Sequence, residues 1–353
     1  MGSVAAYFVY VALDHPARDW DMIPYVMAIL NDGTREIPEL HAATWNLIKA
    51  RIPEEAFRLL STGDSFREKL HADAAAMHSQ LPLFESKYGY VLLSRVVSWV
   101  SDPIDALVWI SLFAALTVLA VLFHQTYQLE GIAVLTWLPI VKLLGLSALS
   151  NFPTPDAIAT AATVVGLWLL LAGRLGSAVV LMVLGAFLRP DNVVLNVMLC
   201  GVIFSRSVRA AALLGICSLA VYAINVRMGA HPGWWVHFHY NFLSWSADMR
   251  GFEPPFDLML YFEVLKVQIM RLYHHDWVYL ALLAFMLAGA FAKGPDRKLV
   301  WALLAAIAAT FVCRFVLYPS TEARIYSPLL FSLAVLAFHA STRLAPMPKG
   351  GGS

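Results

Sequence analysis

Apolar stretches of roughly helix length recur along this chain, and most of the links between them are only a few residues long. Such a pattern leaves few folds open. Within hydrocarbon, backbone polar groups must be satisfied inside the segment or around a closed barrel. These runs are continuous and do not alternate as barrel strands do, so they read as helices. The chain is 59% hydrophobic and 14% charged, with mean hydropathy +0.66, against about 25% charged residues in a soluble domain. The expected fold class is an all-α polytopic membrane protein.

About ten transmembrane helices are expected, at roughly 2–13, 104–123, 131–149, 156–172, 175–188, 192–205, 208–225, 277–292, 299–317 and 325–340. They form one domain over 1–348, broken by two long loops at 14–103 and 226–276. The first span is short for a bilayer, which suggests a trimmed native start or a shallow helix. The closing 349–353 has the composition of an appended linker. One set of short links carries Arg174, Arg206, Arg209, Lys293, Arg297 and Lys298, and Arg343 follows the last span. The positive-inside rule makes that side cytoplasmic, so both long loops face outward.

The first outer loop should carry amphipathic helices lying along the membrane surface. Residues 36–51 set Ile37, Leu40, Leu47 and Ile48 on one face, and Asp64 can cap a helix with Phe66, Leu70, Met77 and Leu81 on one stripe. A third candidate spans 257–273, with Glu263, Lys266 and Arg271 among apolar residues. Trp234, Trp235, Tyr240 and Trp245 are expected at headgroup depth.

Several chemistries find no support. A net charge of +1 gives no electrostatic case for nucleic acid. There is no phosphate loop, no Gly-x-Gly-x-x-Gly before a helix and no His-Glu-x-x-His. Cys200, Cys217 and Cys313 lie in apolar spans without ligand or disulfide spacing and read as small core residues. Asp19-Trp20-Asp21 has a spacing compatible with a divalent metal, yet no cofactor is required by the chemistry below. His237 and His239, as neighbours on a strand-like face, are open to metal binding or to interfacial polar roles.

The charged residues on the outer side carry the functional signal, because charge in or near hydrocarbon is costly. Lys87 and Arg95 precede the second span, and Lys142 lies inside the third. Arg189 and Arg227 end later spans, while Arg314 and Arg324 flank the last outer turn. Each alone could snorkel or pair with an acid. Together, against the positive-inside trend, they suggest a pocket for an anion, with phosphate the obvious ligand. Asp21 supplies a carboxylate able to take a proton from a hydroxyl, the bland alternative being a helix cap. Asp156 and Asp191, each after a proline, either complement the basic residues or cap the next helix.

At this point the chain resembles the GT-C superfamily of integral-membrane glycosyltransferases. Asp21-Met22-Ile23-Pro24-Tyr25-Val26-Met27-Ala28 is similar to an Asp-x-x-x-Tyr-x-x-Ala run after the first span, whose acid is the proposed base. Phe84-Glu85-Ser86-Lys87-Tyr88-Gly89-Tyr90 sits where many members have Lys-Pro-Pro-Leu-Tyr near the donor phosphate, though both prolines are missing here. Pro155-Asp156-Ala157, Leu188-Arg189-Pro190-Asp191 and Glu322-Ala323-Arg324-Ile325-Tyr326-Ser327-Pro328 resemble recurrent motifs of bacterial members.

The resemblance implies a polyprenyl-phosphate-linked sugar donor at the outer face of a bacterial inner membrane, and a glycan, lipid or other envelope acceptor. Asp21, helped by Asp19, would deprotonate the acceptor hydroxyl. Arg324, Arg189, Lys87, Lys142 and Arg314 would hold the donor phosphate. Tyr25, Tyr88, Asp156, Asp191, His237 and His239 would line the substrate pocket. A single in-line displacement would invert the anomeric centre. The competing readings are a polymerase or ligase of diphosphate-linked glycans, a lipid-linked-sugar flippase, and a structural subunit.

Overall fold

The computed structural model describes residues 2–126 and 144–342, and the regular structure among them is helical throughout. Helix α1 (Gly2–Asp14) leads into six helices within the first long loop: α2 (Met22–Leu30), α3 (Ile37–Arg51), α4 (Glu54–Thr62), α5 (Ser65–Ala72), α6 (Ala74–Glu85) and α7 (Tyr88–Val97). Then come α8 (Pro103–Thr126), the single turn α9 (Leu146–Leu149), α10 (Asp156–Leu171) and α11 (Leu175–Leu188). A 3₁₀ turn (Pro190–Asn192) joins α11 to α12 (Val193–Phe204), and α13 (Val208–Met228) follows. The second long loop holds α14 (Trp234–Phe242) and α15 (Leu258–Leu272). The chain closes with α16 (Asp276–Phe291), α17 (Arg297–Leu317) and α18 (Ala323–Thr342).

Four helices are long and apolar enough to cross a membrane: α8, α13, α17 with the turn before it, and α18. The pair α15 and α16 adds a fifth if taken as one span bent by 75°. The expectation of ten spans is therefore met by four to five among the described residues. The four shorter apolar helices Gly2–Asp14, Asp156–Leu171, Leu175–Leu188 and Pro190–Phe204 fall below the length test. Fourteen residues rise only about 21 Å, against about 30 Å of hydrocarbon. Most of the 131–149 stretch, together with Lys142, Arg343 and 349–353, lies outside the described residues. The fold is thus all-helical among the described residues and compatible with a membrane protein.

Two of the three hydrophobic clusters among the described residues organise the molecule. The larger is made by α8, α10, α11, α12, α17 and α18, where residues such as Leu119, Val164, Ile203, Leu304 and Phe331 are buried. The smaller belongs to the first long loop. There α2 is enclosed from Met22 to Ile29, covered by Leu40, Trp45 and Ile48 of α3 and by Met77 and Leu81 of α6. The amphipathic faces expected at a membrane surface are thus turned onto α2, a partner that no local periodicity reveals. The expected single helix after Asp64 is also two. Asp64 caps α5 through the Arg67 amide (2.8 Å), and Asp73 then caps α6 through Ala75 and Ala76 (3.0 Å each). The Asp73 backbone is extended, which breaks the helix there. Helix α15 buries Tyr261 and Val264, and its exposed face mixes Glu263, Lys266 and Arg271 with Phe262, Ile269 and Met270.

Candidate functional site

Successive helices run in opposite directions, so alternate helix ends gather at one end of the bundle. That end collects the start of α10, the close of α11, the close of α17 and the start of α18, and it abuts the helices of the first loop. Arg324 Nη1 reaches Asp21 Oδ2 at 2.9 Å across 303 positions of sequence. Arg324 also bonds Glu322 through Nε at 2.6 Å, and its guanidinium stands 5.5 Å from the Phe152 ring centre. Asp21 precedes α2 but makes no side-chain cap to it. Its carboxylate is spent on Arg324, not on the helix.

A second ion network lies beside the first. Arg189 pairs with Asp156 and, through Nε, with Asp191 at 2.9 Å, while Arg314 pairs with Asp191 and donates to the Ile325 carbonyl at 2.7 Å. Thr154 donates to Asp156 at 2.7 Å. Neither Asp156 nor Asp191 caps its helix through the side chain. Both serve as counterions for buried guanidinium groups. Arg189 and Arg314, expected to meet a donor phosphate, are therefore already bound by carboxylates.

Lys87 is positioned by a close helix contact. Gly89, at the start of α7, abuts the end of α11, and a Cβ there would stand 2.4 Å from the Phe187 carbonyl oxygen. Asn225 of α13 locks the contact, accepting from the Gly89 amide (3.2 Å) and donating to the Phe187 carbonyl (3.0 Å). Lys87 thus lies near Arg189, its Nζ donating to the Leu83 carbonyl. Burial, reinforced by Arg189 and opposed by Asp21 and Asp191, pulls its ammonium down from 10.5 to about 8. Burial, with Asp21 beside it, raises the Asp19 carboxyl above its ordinary value. Asp19 accepts from the Trp20 amide at 2.7 Å.

Tyr25 packs edge-on against Phe84 and Tyr90, and lies within electrostatic reach of Asp21. Tyr88 packs on Phe187. Residues 234–242 form a helix, which overturns the strand-like reading of His237 and His239. Two residues apart on a helix, side chains diverge by about 200°. His237 faces His231 and Tyr318, whereas His239 turns to Trp235 and Phe252. Among the described residues no three His, Cys, Asp or Glu side chains group as metal ligands.

Two of the remaining basics stand apart from these carboxylates. Arg95 donates to the Ala28 and Asn31 carbonyls (2.7 and 2.6 Å), closing the end of α2, and Arg227 is exposed. Sequence reasoning missed His231, Tyr318 and Phe152. The first lies in Gly229-Ala230-His231-Pro232-Gly233 and the second precedes Pro319, so turn signals around a polar ring were the available clue. No protein-family model, curated protein or solved structure matches the chain.

Proposed function

We propose that this chain is a membrane glycosyltransferase of GT-C type, moving a sugar from a polyprenyl-phosphate donor to an acceptor hydroxyl at the outer face of a bacterial inner membrane. In this reading about ten helices cross the bilayer. The shorter apolar helices cross with it, helped by local thinning. The observation that carries the reading is the Asp21–Arg324 contact, because it joins a candidate base to a candidate phosphate ligand at one polar end. Lys87 lies within electrostatic reach of both.

The chemistry follows from that juxtaposition. The donor phosphate competes with Asp21 for Arg324, and its arrival frees the carboxylate to accept the proton of the acceptor hydroxyl. The hydroxyl oxygen then forms its bond to the anomeric carbon as the bond to the phosphate oxygen breaks. The electron pair leaves on polyprenyl phosphate, whose charge Arg324 and Lys87 stabilise. Arg189 and Arg314 act through Asp156 and Asp191, holding the polar end together. Alignment and electrostatics suffice for a leaving group this good, so no metal enters the scheme.

Purified protein offered a panel of polyprenyl-phosphate sugars with envelope acceptors should release free polyprenyl phosphate from one of them, with inversion at the anomeric carbon. Asp21→Asn should lower that release by about 10²- to 10⁴-fold. Turnover only of diphosphate-linked glycans would replace this reading with the polymerase or ligase one.

A further inference from the structure

The link between α13 and α14 passes the first long loop at backbone contact. A Cβ on Gly229 would stand 2.3 Å from the Glu85 carbonyl oxygen and 2.4 Å from Ser86 backbone atoms, so this residue must be glycine. Ala230 follows with φ +46°, a left-handed conformation costly for a residue with a Cβ. The strap therefore crosses the Glu85–Lys87 turn at backbone contact, and its next residue is His231. Strain of this kind persists only where the surroundings enforce it.

What the strap carries is an ordered pair of imidazoles. The Gly233 amide donates to His231 Nδ1 at 3.0 Å, so that nitrogen is an acceptor and the His231 proton sits on Nε2. His231 Nε2 lies 3.3 Å from His237 Nδ1 and donates to it. His237 must then carry its own proton on Nε2. That N–H has no hydrogen-bond partner among the described residues, although the ring lies between His231, Tyr318 and the field of Lys87. Burial and Lys87 hold both rings in the neutral form, His231 down at about 4 and His237 well below its ordinary value. One backbone N–H therefore sets the tautomers of two side chains and leaves one N–H without a partner among the described residues, within electrostatic reach of the Lys87 ammonium.

We propose that His231 and His237 form a fixed-tautomer relay that presents the His237 Nε2–H, together with Lys87, as a seat for a phosphate monoester. The inference rests on the transferase reading, in which that monoester is the departing polyprenyl phosphate. A neutral donor suits the position. An imidazolium would repel Lys87, whereas a neutral N–H adds a hydrogen bond to the anion without like-charge cost. No proton moves in this role: His237 donates and keeps its hydrogen, and Asp21 remains the base.

The test is equilibrium binding to purified protein in nanodiscs, with undecaprenyl phosphate, undecaprenol and inorganic phosphate as probes. Wild type should prefer undecaprenyl phosphate to undecaprenol. His237→Phe should weaken undecaprenyl phosphate binding about ten-fold or more, as expected for losing a hydrogen bond to a charged group. His237→Gln, which keeps an N–H donor, should stay within about three-fold of wild type, and undecaprenol binding should be unchanged in both. His231→Asn gives a second route, since it disturbs the tautomer without removing the donor ring. Parallel losses for inorganic phosphate would assign the seat to the phosphate group itself, and losses confined to the lipid probe would assign it to the lipid-linked monoester. Undiminished phosphate preference in His237→Phe overturns the seat alone. A wild type that cannot tell undecaprenyl phosphate from undecaprenol overturns the transferase reading beneath it.

Discussion

Two ion pairs stand at the same end of the bundle and use the same chemistry, yet they are set differently. In the Asp156–Arg189 pair the side chains are 7% and 12% exposed, and each has a further partner in Thr154 or Asp191. In the Asp21–Arg324 pair both side chains are 26% exposed, and Asp21 has Arg324 as its one hydrogen-bonded side-chain partner among the described residues. Buried charges with several partners cannot leave them, because a stranded charge costs several kcal/mol. A half-open pair gains little from staying together, at most about 1 kcal/mol, and Arg324 keeps Glu322 as a partner when Asp21 leaves. The difference separates charges that hold the site from charges free to exchange partners with a substrate. Residue type alone makes no such distinction.

The sharpest way to break this comparison is to neutralise one acid in each pair. Asp21→Asn should lower turnover by about 10²- to 10⁴-fold, the span of a lost general base, while stability stays within about 1 kcal/mol of wild type. Release of polyprenyl phosphate and denaturant unfolding measure the two sides. Asp156→Asn should do the reverse, costing about 3–5 kcal/mol of stability by leaving Arg189 short of a buried counterion. Equal stability losses in the two variants would erase the distinction. Arg324→Gln comes next. It should cost on the order of hundreds-fold in turnover, the effect of one transition-state donor, and little in folding. A variant that folds poorly but turns over normally would move Arg324 into the scaffold.

Much of the helix layout was legible in the sequence, and the reason is local. The run expected at 175–188 is the helix Leu175–Leu188, and that expected at 156–172 is Asp156–Leu171, because Gly173-Arg174 and Arg189-Pro190 interrupt apolar residues sharply. The gathering of Arg189, Arg314 and Arg324 with Asp21, Asp156 and Asp191 was legible for a similar reason, since it needs only alternating helix direction, whereas Arg95 and Arg227 stand apart. Their pairing was not. Asp21 meets a residue 303 positions away, and no periodicity encodes which acid takes which arginine. Two further features were hidden because they depend on tertiary contact. The faces of α3 and α6 find a buried partner in α2, and His231 is placed by the backbone contact at Gly229.

Lys87 sharpens the comparison on a finer scale, because its charge is the one that pH can remove. Its ammonium titrates at about 8, held down first by burial and then by Arg189. The other groups around it are Arg189, Arg324, Asp21, Asp191, His231 and His237. Both imidazoles are already neutral across this range. A phosphate monoester is largely ionised above its second pKa of about 6. Affinity for undecaprenyl phosphate should therefore fall as pH rises through about 8, by up to about ten-fold per unit. Stability should move the opposite way. An unfolded lysine holds its proton up to about 10.4, so between about 8 and that value the unfolded chain binds more protons and the folded state gains as pH rises. Lys87→Met should flatten both slopes. A pH slope in affinity that survives the substitution would take the titrating charge away from Lys87 and leave Arg324 as the sole cation of the open pair.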